Sequence, residues 1–132
     1  MAQFVAPYAA PIYAAMRMVF GFSFFWHGSQ KLFGFPGGIP EGVPDAILYS
    51  AGSIELVGGL FVMIGLMTRW SAFLCSGLMA AAYWMAHGMN AVLPIMNHGE
   101  LAVLYCFAFL YIAAHGAGIW SVDGARSGGG TS

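Results

Sequence analysis

The sequence predicts an all-α integral membrane protein, a four-helix bundle of up-down topology. Three observations predict it. Of 132 residues, 60% are Ala, Val, Ile, Leu, Met, Phe, Trp, Tyr or Cys. Only four Lys/Arg and five Asp/Glu are present, whereas about a quarter of a soluble domain is charged, so a water-facing surface cannot be clothed. The apolar residues also fall into four runs of about 22, close to the roughly 20 that a helix needs to cross a bilayer. A mean hydropathy of +0.77 points the same way. So few basic residues exclude an electrostatic nucleic-acid binder, and the aliphatic and aromatic content excludes disorder. The length suits one membrane domain over residues 1–123, followed by a flexible Gly/Ser tail over 124–132.

Ile12–Phe33 is the first expected span, and it is interrupted by Arg17, His27 and Lys31. The connector Gly34–Pro44 is too rich in Gly and Pro to continue a helix. Ala46–Met67 is the second span, with one acid, Glu55. Thr68-Arg69 makes a tight turn into the third span, Trp70–Val92, which carries His87. Pro94 and Asn97-His98-Gly99 break the chain again, and Glu100–Trp120 is the fourth span. From Ser121 the chain is Gly/Ser-rich, and a disordered tail is expected. Barrel strands would alternate apolar and polar residues over about ten positions; these runs are apolar on both parities. No basic region precedes the first apolar run, so no cleaved signal peptide is expected.

Four spans put both termini on one side. That side also holds the Arg69 turn, Arg126 and the end of the span nearest Arg17, while the opposite connector carries Glu41 and Asp45. The positive-inside rule then places both termini in the cytoplasm. Small residues that permit close backbone approach recur at Gly58-Gly59, Gly77-x-x-x-Ala81 and Ala114-x-x-x-Gly118. They serve either packing within the bundle or a homo-oligomer interface.

Ionisable groups inside spans are costly and are functional candidates by default. At about 1.5 Å per residue, His27, Glu55 and His87 lie about 8–13 Å below the outer end of their helices. Lys31 sits a turn above His27, and Glu100 opens the fourth helix near the surface. Four helices thus deliver ionisable groups to one outer layer. Arg17 and His115 fall roughly 6–8 Å from the inner end, where Arg17 either snorkels to phosphates or serves an internal role. Arg17, Gly21, Phe24, Gly28 and Lys31 form one helical stripe, and Glu55, Gly59, Val62, Leu66 and Arg69 another. A buried carboxylate must pair with a base or stay protonated, so Glu55 is expected to face His27, Lys31 or His87.

Three chemistries compete for this layer. A metal site could draw on His27, His87, His98, Glu55 and Glu100, but the i, i+3 or i, i+4 ligand pairs of helical metal sites do not occur, so no metal is expected. A quinone or proton site would use His and Glu to hydrogen-bond a carbonyl and exchange protons. A satisfied polar network would only fix the register of the bundle. Cys75 and Cys106 lie about 10 Å or more apart in depth on these span boundaries, too far for a disulfide.

Arg17-Met-Val-Phe-Gly21-Phe-Ser-Phe-Phe-Trp-His27-Gly28-Ser-Gln-Lys31-Leu-Phe-Gly34 resembles the first-helix signature of DoxX membrane proteins. Ile54-Glu55-Leu-Val-Gly58-Gly59-Leu60, followed by Gly65-Leu-Met-Thr68-Arg69, is similar to the second. Ala86-His87, Gly99-Glu100-Leu-Ala102 and Gly116-x-Gly118-x-x-Ser121-x-Asp123 fit the rest of that pattern. The resemblance covers residues 12–123. It implies a multi-pass protein of a bacterial or archaeal inner membrane, surrounded by lipid. It also implies a quinone-linked redox subunit or membrane anchor, with quinone as the cofactor and a partner redox subunit holding the other redox groups. A non-catalytic membrane module, either an assembly factor or a small-solute or proton pathway, is the alternative.

Overall fold

The computed structural model describes residues 3–88 and 90–128. Among the described residues the fold is all-α, as expected, with four long helices and two short ones. A short 3₁₀ turn, Ala6–Tyr8, leads into α1, Ala9–Phe33, which stops where Gly34 turns left-handed at φ 72°. Pro44 cannot sit inside a helix but can precede one, and α2, Asp45–Ile64, starts directly after it. Gly65, at φ 73°, ends α2. Helix α3, Thr68–Ala82, continues through a wider π-helical turn, Tyr83–His87. A single helical turn, α4, Pro94–Asn97, precedes α5, Glu100–His115. The short α6, Val122–Arg126, is capped by the Ser121 hydroxyl, which accepts the Gly124 N–H. Among the described residues, α2 is the one helix long and apolar enough by itself to cross a membrane; α5 is apolar but shorter.

Helices α1 and α2 approach until their backbones touch. A Cβ added at Gly21 would lie 2.5 Å from the Met63 nitrogen and 2.7 Å from the Gly59 oxygen. One at Gly28 would strike Leu56, and one at Gly59 would lie 2.6 Å from the Phe25 nitrogen. The contacts pair Gly21 with Gly59 and Gly28 with Gly52, so the helices run antiparallel. The seven-residue spacing on both sides, two helical turns, keeps the two glycine contacts on one face of each helix. Most of each expected stripe lies in this packing: Arg17, Gly21, Phe24 and Gly28 on α1 and Glu55, Gly59 and Val62 on α2 are buried, whereas Lys31 is half-buried, and Leu66 and Arg69 fall beyond the end of α2, with Arg69 exposed.

The second pair, α3 and α5, closes the bundle. Ser76 on α3 donates to the Cys106 carbonyl on α5 at 2.7 Å. Aromatic rings fill the wider gap between α1 and α5. Phe24 meets Phe109 with centroids 4.8 Å apart, and Tyr105 stacks on Phe109 at 5.6 Å. Val62, Ala72, Cys75, Met79 and Ile112 complete this core. Outward, Phe22, Val57, Leu60, Phe73, Leu74, Leu104 and Phe107 are exposed, so every long helix turns large apolar side chains away from the core.

Several sequence expectations are corrected. The third span ends at the π turn, where the Gly88 N–H reaches back to the Tyr83 carbonyl, five residues short of Val92. The fourth helix ends at His115 because Gly116 takes φ 99°, ψ −172°, a conformation open essentially to glycine. Gly118, read as a helix-packing residue, lies outside any helix at φ 72°. Gly77 meets nothing within 4 Å and faces outward. Residues 121–128, expected to be disordered, contain α6; residues 129–132 of the expected tail lie outside the described residues. The shorter α5 also removes the depth gap between the cysteines, because Ser76, next to Cys75, touches Cys106. Both thiols are nevertheless free: Cys75 points at Gly58 while Cys106 faces Ser76, so direction rather than depth separates them.

The seam yields a direct test. Gly28→Ala places a methyl group against the α2 backbone, and overpacking of this kind costs about 1–3 kcal/mol. Gly77→Ala meets open space and gains helix propensity. Thermal unfolding in detergent is expected to show a lowered midpoint for the first and an unchanged or raised one for the second.

Candidate functional site

Polar side chains gather at the two ends of the bundle. At the end where α2 and α5 finish, Arg17 is fully buried at 0% exposure. Its Nε donates to the Val62 carbonyl at 3.0 Å and its terminal nitrogens donate to Ala117, to Ile119 at 3.1 Å and to Trp120 at 2.7 Å. Val62 belongs to the last turn of α2, whose carbonyls lack the regular i+4 donor; the Val62 carbonyl otherwise receives only the cap N–H of Gly65 at 3.2 Å. The guanidinium therefore caps α2 and clasps the strap 116–120 that follows α5. Snorkelling to phosphates is excluded by this burial. Arg69 does the same for α5, donating to the carbonyls of Ala113, Ala114 and His115.

Arg17 and His115, expected as an inner polar pair, are not hydrogen-bonded to each other. Tyr13 stands at their level instead: its ring lies 3.9 Å from the His115 ring, and its hydroxyl donates to Gly116 at 2.7 Å. Beyond the strap, Asp123 ties α6 to the α2–α3 turn. It accepts from the N–H groups of Met67 and Thr68 at 2.9 and 2.8 Å and from the Thr68 hydroxyl at 2.8 Å. Burial alone would raise its pKa, but the Thr68 and Met67 donors, with Arg126 nearby, hold it below the usual carboxylate value.

The opposite end is open. A cavity of about 600 Å³ lies between α1, α2, α3 and α5, within the size range of small-molecule sites. Its walls are mostly apolar, including Phe24, Leu78, Met79, Met85 and Leu101. Its polar groups are His27, Lys31, Glu55, His87, His98 and Tyr105. The Glu55 carboxylate is 3% exposed and takes both of its contacts from Lys31 Nζ, at 2.9 and 2.8 Å. Glycine makes this possible: the Lys31 stem passes over Gly52, whose added Cβ would lie 3.0 Å from the Lys31 Cβ, and the ammonium reaches Glu55 one turn further along α2.

His87 Nδ1 is held 3.0 Å from the Asn97 carbonyl. The His27 ring sits edge-on to Tyr105 with centroids 5.9 Å apart, and neither of its nitrogens makes a hydrogen bond among the described residues. Of the outer layer read from the sequence, His27, Lys31, Glu55 and His87 share this cavity. Glu100 does not; it is exposed at the start of α5. Tyr105, Met85 and the ordering role of Asn97 were not singled out in the sequence. Tyr105 is hidden within a uniformly apolar run, whereas Asn97 was visible only as part of a break in the chain. Among the described residues, no three His, Cys, Asp or Glu side chains gather as a metal site would require.

The DoxX family profile matches residues 12–88, which span α1, α2, α3 and the π turn. An "Uncharacterized protein" of Haemophilus influenzae is 41% identical over 116 residues, covering 83% of this chain and 87% of that relative. "Putative oxidoreductase CatD" of Bacillus subtilis is 29% identical over 112 residues, 82% of this chain and 81% of that relative. No solved structure matches the chain. The chain therefore belongs to the DoxX family.

The Asp123 clasp predicts a pH dependence at the Arg17 end of the bundle. Its pKa is lower in the folded chain, so its contribution is complete above the ordinary carboxylate value near 3.9 and is lost as pH falls through the lower folded value. Limited proteolysis between pH 6 and pH 2 is expected to release residues 121–128 only at the acid end. Asp123→Asn is expected to be cut across the whole range.

Proposed function

We propose that this chain is a multi-pass protein of a bacterial cytoplasmic membrane, with both termini inside, and that its cavity takes the head group of a quinone for a partner redox subunit. One observation carries the reading: an apolar cavity of suitable volume holds a histidine, His27, whose ring nitrogens have no hydrogen-bond partner among the described residues, beside a buried ion pair. The family, and a bacterial relative whose name says oxidoreductase, support it. The belt of outward apolar side chains supports the multi-pass membrane setting.

A quinone carries two electrons and two protons between its carbonyl and hydroxyl forms. His27 would donate to one head-group oxygen, and His98 and His87 line the same cavity for the other side of the ring. The Lys31–Glu55 pair would hold a proton at Nζ or at a Glu55 oxygen and pass it along the 2.8 Å contact. The apolar walls would exclude bulk water from that exchange. Electrons would come from the partner subunit.

A second reading, a non-catalytic membrane module with a purely structural outer layer, draws on the complete pairing of Glu55 with Lys31. Two variants separate the readings. Glu55→Gln keeps the shape and removes the charge, and in the quinone-linked protein it is expected to abolish quinone-dependent activity while the chain still inserts and purifies. His27→Ala is expected to weaken binding of a short-tailed benzoquinone, followed by tryptophan quenching, by about tenfold or 1.4 kcal/mol. Unchanged binding and activity in both would establish the structural layer instead. Cysteine labelling in intact cells checks the orientation, with Glu41→Cys expected to react from outside and Ala125→Cys only after permeabilisation.

A further inference from the structure

The two connectors at the cavity end differ in kind. The α1–α2 connector carries Glu41 and Asp45 beside its glycines and prolines. The α3–α5 connector lies in the 30-residue stretch Trp70–Gly99, which contains no Asp, Glu, Lys or Arg. Four of its apolar side chains project outward: Val92 is 91% exposed, and Leu93, Ile95 and Met96 are more than half exposed.

Its polar groups close on themselves around Asn97, which turns inward, while Asn90 and His98 stay exposed. Asn97 is buried; its amide donates to the Tyr83 hydroxyl at 2.9 Å and to the Ala91 carbonyl at 3.0 Å, and its oxygen accepts the Gly99 N–H at 2.8 Å. The Asn97 carbonyl faces His87 Nδ1. The Leu93 carbonyl receives the N–H groups of Met96 and Asn97, and the Pro94 carbonyl receives that of Gly99. The Asn90 side chain returns to the Ala86 carbonyl at 3.3 Å. A loop in water has no need of such closure, because water completes its backbone. In hydrocarbon each unpaired group costs several kcal/mol, so irregular backbone must pair within the protein.

We propose that residues 91–96 insert into the outer half of the bilayer as a lipid-embedded lip of the cavity, with lipid hydrocarbon as the covering partner. The inference rests on the membrane reading above and deepens it by naming the class of ligand. His87, at the end of the π turn, and His98, just past this segment, line the cavity while residues 91–96 border it from outside its wall, so the polar site opens beside lipid. A ligand taken from the bilayer there is an amphiphile, with a polar head among the histidines and an apolar tail passing over Val92 and Ile95.

Nitroxide labels at Val92→Cys and Ile95→Cys test the placement, with Glu41→Cys as the reference. The full chain, with Cys75 and Cys106 replaced by alanine, is reconstituted in phosphatidylcholine vesicles. Collision rates with oxygen, which concentrates in lipid, are compared with those of a water-soluble nickel chelate. Oxygen is expected to dominate several-fold at positions 92 and 95, and the chelate at 41. Dominance of the chelate at 92 and 95 would place the lip in water and overturn the proposal. Low rates for both probes would mean that protein, such as a second copy of the chain, covers the lip, and would overturn it equally. No quinone is present in this measurement, so its failure is separate from failure of the quinone titration.

Discussion

The backbone contact between α1 and α2 is the constraint on which the other features depend. Gly21 and Gly28 face Gly59 and Gly52, and no side chain separates the helices at those points. That closeness fixes the register of the pair to within a residue. At one end it brings Arg17 onto the terminal carbonyls of α2. At the other it lays the Lys31 stem across Gly52 and delivers the ammonium to Glu55. A slip of one turn would strand both a buried guanidinium and a buried carboxylate, and breaking a buried charged pair costs several kcal/mol. The glycines permit the approach, and the charges penalise every alternative register.

The two paired helices were the most legible part of the sequence, for a physical reason. A glycine, a charge and an aromatic at helical spacing form a pattern that a uniformly apolar run cannot imitate, and the stripes are buried from Arg17 to Gly28 on α1 and from Glu55 to Val62 on α2, though the second was drawn too far, to an exposed Arg69. Helices α3 and α5 carry no comparable contrast. Their ends were drawn by apolar content, which does not stop where hydrogen bonding stops. Gly116 was the available signal for the end of α5, since glycine after a histidine in a last turn is a common stop; the apolar Ile119 and Trp120 outweighed it. The cysteine reading shows how such an error propagates, because misplaced boundaries supplied a sound-looking reason for an unpaired state that has another cause.

The outer polar layer was legible in depth but not in completeness. Rise per residue placed His27, Glu55 and His87 at one level, and all three line one cavity. Depth carries no information about azimuth, however. It could not tell that Glu100 points away while Tyr105, a turn and more below it on α5, points in. Nor could it choose among His27, Lys31 and His87 as the partner of Glu55; the Lys31 stem over Gly52 makes that choice.

The contrast between the two ends decides where chemistry can reside. Around Arg17 the guanidinium is surrounded by carbonyls of α2 and of the strap, and no buried side-chain nitrogen or oxygen among the described residues lacks a partner. A ligand there would have to displace hydrogen bonds that hold two helix ends, which is a poor exchange. At the cavity end the polar groups other than the exposed His98 are also buried or half-buried, but they border empty volume rather than packed backbone. Lys31 and Glu55 satisfy each other without closing that volume, and His27 is left with open ring nitrogens facing the same space. Saturation at one end supplies rigidity; incompleteness at the other supplies a site. The fold can sustain the second because the first, together with the glycine seam, holds the register against which the cavity is built.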